Sequence, residues 1–258
     1  MSLPRILAGR EPVKGGYRAV IPDAWLQGRT AYGGLSAAMA YAAARDADAD
    51  LPPLRSAQVS FIGPLAGPVT VTAAVKRRGK NAAFVTAEIH GENGLGLAAT
   101  FVFMREMKSH VELTGGTAAP ISSPPGPARP VEHATAPRFL HNFDIAQVDD
   151  WPDRGSADVL RWFRTKDRDG LDPMTEMMLI GDGLPPAAMA LMTKPVPVSS
   201  LTWIYNLLTP APVSADGWWL LRATSDHIEH GCTNQDIMVW NADGALVARG
   251  MQSIALFG

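Results

Sequence analysis

The sequence predicts an α+β protein made of two tandem halves, each a central helix wrapped by a curved antiparallel sheet. Three observations carry this. A helical run at 33–44 is apolar on nearly every face, β-rich segments follow in series after it and after a second helical run, and part of the chain repeats itself.

The run 33–44, Gly-Gly-Leu-Ser-Ala-Ala-Met-Ala-Tyr-Ala-Ala-Ala, has no polar face for water, and it is too short to cross a bilayer. A sheet must therefore enclose it. Segments 56–62, 69–77, 82–90 and 95–103 are β-rich and supply that sheet. The second helix is expected at 173–183, with Asp172 as N-cap, Pro173 at the first helical position and Pro185-Pro186 stopping or kinking it. Strands are expected after it at 200–207, 218–225, 233–240 and 245–255. Residues 93–103 align with 243–253 at a constant offset of 150, and Asn93-Gly94 and Asp243-Gly244 each have the chemistry of a type I′ hairpin turn. Between the halves, 114–137 is rich in Gly, Pro, Ser, Thr and Ala, with Pro120, Pro124, Pro125, Pro127, Pro130 and Pro137. It reads as an extended linker over the surface, dividing the chain into 1–113, 114–137 and 138–258.

With 258 residues, 47% hydrophobic and 19% charged, the chain has the composition of a soluble globular protein. A net charge of -2 and a pI near 6.3 give no field for nucleic acid or an anionic membrane, so small molecules are the expected partners. Cys232 is the sole cysteine, which excludes an internal disulfide, and no Cys/His cluster has zinc spacing. The first residues lack an apolar signal core and no segment holds about 18 uninterrupted apolar residues, so a cytoplasmic location is expected.

Three polar residues interrupt apolar patterns in the second half: Asp182, Ser200 and Gln252. A buried polar group costs roughly 1–3 kcal/mol unless hydrogen-bonded, so the three are expected to satisfy one another or share a water. Ser199 is the alternative to Ser200, because a one-residue shift exchanges the faces of a strand. Gly33-Gly34 costs helix stability and so points to a close approach of backbone to a ligand. His227 and His230, with Asp226 and Glu229, precede Gly231 in a hairpin connection and read as solvated. Trp203, Trp218, Trp219 and Trp240 read as core or interface aromatics, and Gln58 as a structural residue facing inward.

Thr30-Ala31-Tyr32-Gly33-Gly34-Leu35-Ser36-Ala37-Ala38, Ser60-Phe61-Ile62-Gly63-Pro64, Asp182-Gly183-Leu184-Pro185-Pro186-Ala187 and 241–252 occur in an order and spacing that resembles the thioesterase-like superfamily. The chain is similar to tandem, or double, hotdog proteins of the bacterial acyl-CoA thioesterase II type. That resemblance implies hydrolysis of an acyl-CoA without metal or organic cofactor. It further implies that Asp182, Ser200 and Gln252 hold the hydrolytic water, with backbone N–H groups near Gly33 and Gly34 as the oxyanion element. Arg55-Ser56 and Thr202-Trp203 depart from the family's usual His-Ser and Asp-His pairs, which keeps open a non-catalytic acyl or aromatic-ligand binding protein. A hotdog hydratase ranks last, since 173–192 contains no histidine. The halves are expected to pack as an intrachain pseudo-dimer, with 101–104 and 254–257 as pairing surfaces, and this unit to form a homo-oligomer.

Overall fold

The computed structural model describes residues 1–114, 116–121, 125, 136–148, 151 and 155–257. Within the expected linker, Pro124, Pro127 and Pro130 lie outside the described residues.

The chain opens with helix α1 (Leu3–Ala8), strands β1 (Glu11–Val13) and β2 (Gly16–Ile21), and a small hairpin of β3 (Leu26–Gln27) and β4 (Thr30–Ala31). Helix α2 (Gly33–Asp46) follows, then β5 (Leu54–Phe61), β6 (Gly67–Arg78), β7 (Ala82–Gly91) and β8 (Gly94–Met104). The second series begins with β9 (Phe143–Gln147) and β10 (Asp158–Thr165), which precede helix α3 (Pro173–Ile180). It continues through β11 (Val198–Leu207), β12 (Trp219–Thr224), β13 (Ile228–Glu229), β14 (Cys232–Asn241) and β15 (Leu246–Leu256).

Apart from the β3–β4 hairpin, these strands form one 13-stranded sheet, ordered β1-β2-β6-β7-β8-β5-β11-β15-β14-β12-β10-β9 with β13 beside β14. Read from its outer strands to the centre, each side has the same sequence of roles: β2-β6-β7-β8-β5 and β10-β12-β14-β15-β11. The two series meet at β5 and β11, from Ser60 opposite Thr202 to Ser56 opposite Asn206. The expectation that 101–104 and 254–257 pair the halves is thereby corrected. Those residues lie at the ends of β8 and β15, whose two neighbours both come from their own series, so the halves join instead through β5 and β11, the last strand of each series.

Helix α2 is buried from Gly34 through Ala44 and packs on α3 and on β6, β7 and β8, as its lack of a polar face requires. Helix α3 starts where expected: Asp172 Oδ1 accepts from the N–H groups of Met174 and Thr175, each at 3.1 Å. It stops at Ile180 rather than Gly183. Gly183 N–H donates to the Ile180 carbonyl at 2.8 Å, which closes a tight turn and leaves Asp182 outside the helix.

Two turn assignments also change. Gly94 and Gly244 have φ of 94° and 82°, but Asn93 and Asp243 are not among the residues with positive φ. Each hairpin is therefore a type I turn followed by a left-handed glycine, with a register shift nearby in the β7–β8 and β14–β15 ladders. The type I′ geometry belongs to His230-Gly231, φ 54° and 71°, which joins β13 to β14. The His227 and His230 side chains there are solvated, as expected.

Trp203 and Trp219 lie in the main core, whereas Trp162, Trp218 and Trp240 form a second apolar cluster with Leu160 and Val148. Ala119 and Ile121 pack on that cluster, and Trp240 Nε1 donates to the Thr117 carbonyl at 2.8 Å. This stretch after β8 thus runs across the second series of strands. Gln58 is exposed, contrary to the inward placement expected for it.

Candidate active site

Asp182 sits between two glycines whose missing side chains make room for rings. A Cβ on Gly181 would stand 2.8 Å from both Trp203 and Tyr205, and one on Gly183 would stand 3.1 Å from Phe163. Aromatic packing on either side therefore fixes the turn and directs the carboxyl group toward the start of α2.

At that helix start the backbone approaches closely. A Cβ on Gly33 would lie 2.6 Å from Asp182 Oδ2, and one on Gly34 would lie 2.3 Å from the Leu179 carbonyl. Tyr32, the N-cap residue of α2, donates from Oη to the same Leu179 carbonyl at 2.6 Å, tying the end of α3 to the start of α2. The Gly34 N–H donates to the Asp182 carboxyl group. The expected pair is thus divided: Gly34 is committed to Asp182, while Gly33 occupies the first helical position, where N–H groups lack intrahelical partners.

Gln252 Nε2 donates to Asp182 Oδ1 at 2.5 Å. Gln252 is buried on the inward face of β15, opposite Trp203 of β11. Its own oxygen accepts from Gln235 Nε2 at 3.0 Å, and Gln235 Oε1 accepts from the Ala187 N–H at 2.7 Å. Gln235 was not singled out in the sequence. The signal was available, because Gln235 shares strand phase with Thr233, Ile237 and Val239, all buried.

Ser200 pairs with Ile254, and a bulge at Leu201 returns Trp203 to the inward face opposite Gln252. Ser200 therefore shares a face with Gln252, two pairs along, whereas Ser199 is exposed on the other face. Among the described residues no hydrogen bond joins Ser200 Oγ to Asp182 or Gln252. Asp182, Gln252, Gly33 and Gly34 come together, with Ser200 at their border.

The first series of strands has no such polar site. Val102, aligned with Gln252 by the repeat, faces outward and is half-buried, so the offset misses the correct strand phase by one residue. The inward positions of β8 are Leu97, Ala99, Phe101 and Phe103.

Burial pushes the Asp182 carboxyl from an ordinary value of 3.8 to about 7, against the opposing pull of the Gln252 amide and the Gly34 N–H. Burial also raises the hydroxyls of Tyr32 and Tyr205 well above the usual tyrosine range, so both stay neutral. A carboxyl group that titrates near neutrality, held by two donors, can accept a proton from a water at working pH. Among the described residues no three His, Cys, Asp or Glu side chains converge as metal ligands.

Residues 21–104 match the model of the acyl-CoA thioesterase N-terminal domain, and 118–256 that of the C-terminal domain. The chain belongs to the acyl-CoA thioesterase family. Among solved structures, this thioesterase-family chain is similar to a thioesterase II candidate of Thermobifida fusca YX, with TM-score 0.84, 20% identity, and 99% of this chain and 97% of that one covered. A hot dog fold protein of unknown function from Alicyclobacillus acidocaldarius gives 0.79 at 19% identity, covering 98% and 97% of the two chains. The acyl-CoA thioesterase II TesB2 of Mycobacterium marinum gives 0.76 at 17%, covering 100% and 99%. At such identities the likeness is one of fold, and the fold is a double hotdog. No curated protein matches the sequence. No helix among the described residues is long and apolar enough to cross a membrane.

Proposed function

We propose that the chain hydrolyses an acyl-CoA thioester by direct attack of a water activated by Asp182. The observation that supports this reading above the others is a carboxyl group titrating near neutrality, held by Gln252 and Gly34 at the start of α2. In its ionised form Asp182 takes a proton from the attacking water. Gln252, whose amide has one N–H on the carboxylate, has a second with which to orient that water. Ser200, on the same inward face as Gln252, supplies a hydroxyl at the border of the site.

The thioester carbonyl is assigned to the Gly33 N–H. With no side chain on Gly33, the carbonyl can reach the positive end of α2, which stabilises the negative charge that develops on oxygen during attack. Collapse of the tetrahedral intermediate breaks the C–S bond and expels the coenzyme A thiolate, which takes up the proton held by Asp182 and leaves as the thiol; no acyl-enzyme forms, so hydroxylamine should trap none. Release of free thiol from acyl-CoAs of graded length tests the reading. Turnover with at least one of them supports it, and tight binding without turnover would leave a ligand-binding protein instead.

A further inference from the structure

We infer that Gln235 is a positioning residue of this site, fixing through Gln252 which way the Gln252 amide faces and so keeping its N–H donors on Asp182. The inference rests on the proposed role of Asp182 for its consequence in turnover, but the geometry stands without it.

An amide side chain can be turned end for end with little change of shape, and only its partners decide which end is the donor. Here the decision is made at a backbone group. The Ala187 N–H follows Pro186 at the start of a 3-10 turn (Ala187–Leu191) and can only donate. It therefore takes Gln235 Oε1, at 2.7 Å. That turns Gln235 Nε2 toward Gln252, where the facing atom must accept, and Oε1 does so at 3.0 Å. Gln252 Nε2 is thereby left toward Asp182 Oδ1, at 2.5 Å. With Gln252 reversed, a carbonyl oxygen would face the carboxylate, and Gln252 and Gln235 would meet donor to donor. The chain of three bonds has one consistent direction.

Gln235 is 1% exposed and Gln252 3%, so bulk water does not compete for either amide. Gln235 is separated from Asp182 by Gln252 and acts only through it. The titratable side chain that interacts with Asp182 from the surrounding elements is Tyr32, before α2, and Tyr205 of β11 packs at the adjoining Gly181; both are neutral. Neither of them orients Gln252 through a hydrogen bond among the described residues.

The test combines two readouts on the whole chain. The Asp182 carboxyl is followed by 13C NMR of Asp-labelled protein, its signal assigned by loss in Asp182→Asn. Turnover is followed with whichever acyl-CoA, from acetyl to palmitoyl, the wild type hydrolyses fastest. Gln235→Met should raise the midpoint of Asp182, as Gln252→Met does, because a released amide no longer holds its donor on the carboxylate. In the Gln252→Met background, Gln235→Met should add nothing further. Turnover should follow, with kcat lowered roughly tenfold or more and KM within about twofold, as for a lost orientation.

Gln235→Glu provides the conservative comparison. A buried carboxyl group stays protonated near neutrality, and in that form it can accept from Ala187 and donate to Gln252. It should recover turnover relative to Gln235→Met, whereas a packing role would favour methionine. An unchanged midpoint in Gln235→Met, or an equal shift with Gln252 already replaced, overturns the inference. Wild-type protein without turnover would defeat the thioesterase reading alone, since the titration still decides the relay.

Discussion

Gln252 Nε2 donates to Asp182 Oδ1 at 2.5 Å, joining the inward face of β15 to the turn after α3. The bond lies between two elements 70 residues apart in sequence. An orienting amide contributes more to the positioned transition state than to ground-state binding. Gln252→Ala should therefore lower kcat by about 10–100-fold with a small change in KM, and circular dichroism should report an intact fold. Ser200→Ala should be milder, because Ser200 lies at the border of the site. A rise in KM alone in Gln252→Ala would assign this amide to substrate binding instead.

Acid–base behaviour gives a second expectation. Asp182 works as a base only when ionised, so kcat/KM should rise with pH through about 7 and then level. A rate profile that is flat between pH 5 and 8.5 would remove Asp182 from the rate-determining chemistry.

Stability should run the opposite way. The folded-state pKa of about 7 exceeds the ordinary 3.8, so folding favours the protonated carboxyl. The contribution of Asp182 is at its best below about pH 4, declines between those values and becomes a constant penalty above about pH 7, of order a few kcal/mol. Asp182→Asn removes that ionisation. Its Tm relative to wild type should climb across this window and level above it, which differential scanning calorimetry at pH 5 and 8.5 can measure. A difference in Tm independent of pH would contradict the raised pKa.

The two glycines at the start of α2 should separate activity from folding. A methyl group on Gly34 meets the Leu179 carbonyl at 2.3 Å and the Tyr32 ring at 2.6 Å, so Gly34→Ala should cost about 1–3 kcal/mol by overpacking. On Gly33 it meets the Asp182 carboxylate at 2.6 Å and the Phe61 ring at 2.9 Å, side chains rather than backbone. Gly33→Ala should leave more of the stability intact while displacing Asp182 and blocking the carbonyl. Thermal melts and turnover of the two variants check the contrast.

The sequence revealed elements whose patterns reflect a single environment. The all-apolar 33–44 run could only be enclosed, and Asp172-Pro173 could only open a helix; both readings hold. Strand β10 went unread because it is buried on both faces: Val159 and Phe163 face the main core, while Leu160 and Trp162 face the second cluster. It has no alternation to detect. Asp182 and Gln252 stood out as polar residues within apolar runs and now hydrogen-bond each other. Gln235 carried the same signal in one strand phase, but only the fold identifies the backbone N–H that satisfies it. The hairpin turns were misassigned because a glycine after Asn or Asp serves a type I turn with a left-handed third residue as well as it serves type I′.

The central claim is that Asp182 removes a proton from the attacking water, and steady-state thiol release by wild type and Asp182→Asn tests it most directly. An amide keeps the shape of the carboxylate but cannot accept that proton at neutral pH. The account predicts turnover by the wild type and a kcat lower by roughly 10²–10⁴-fold in a folded Asp182→Asn that still binds acyl-CoA. Near wild-type turnover by Asp182→Asn, with its fold verified, would contradict it.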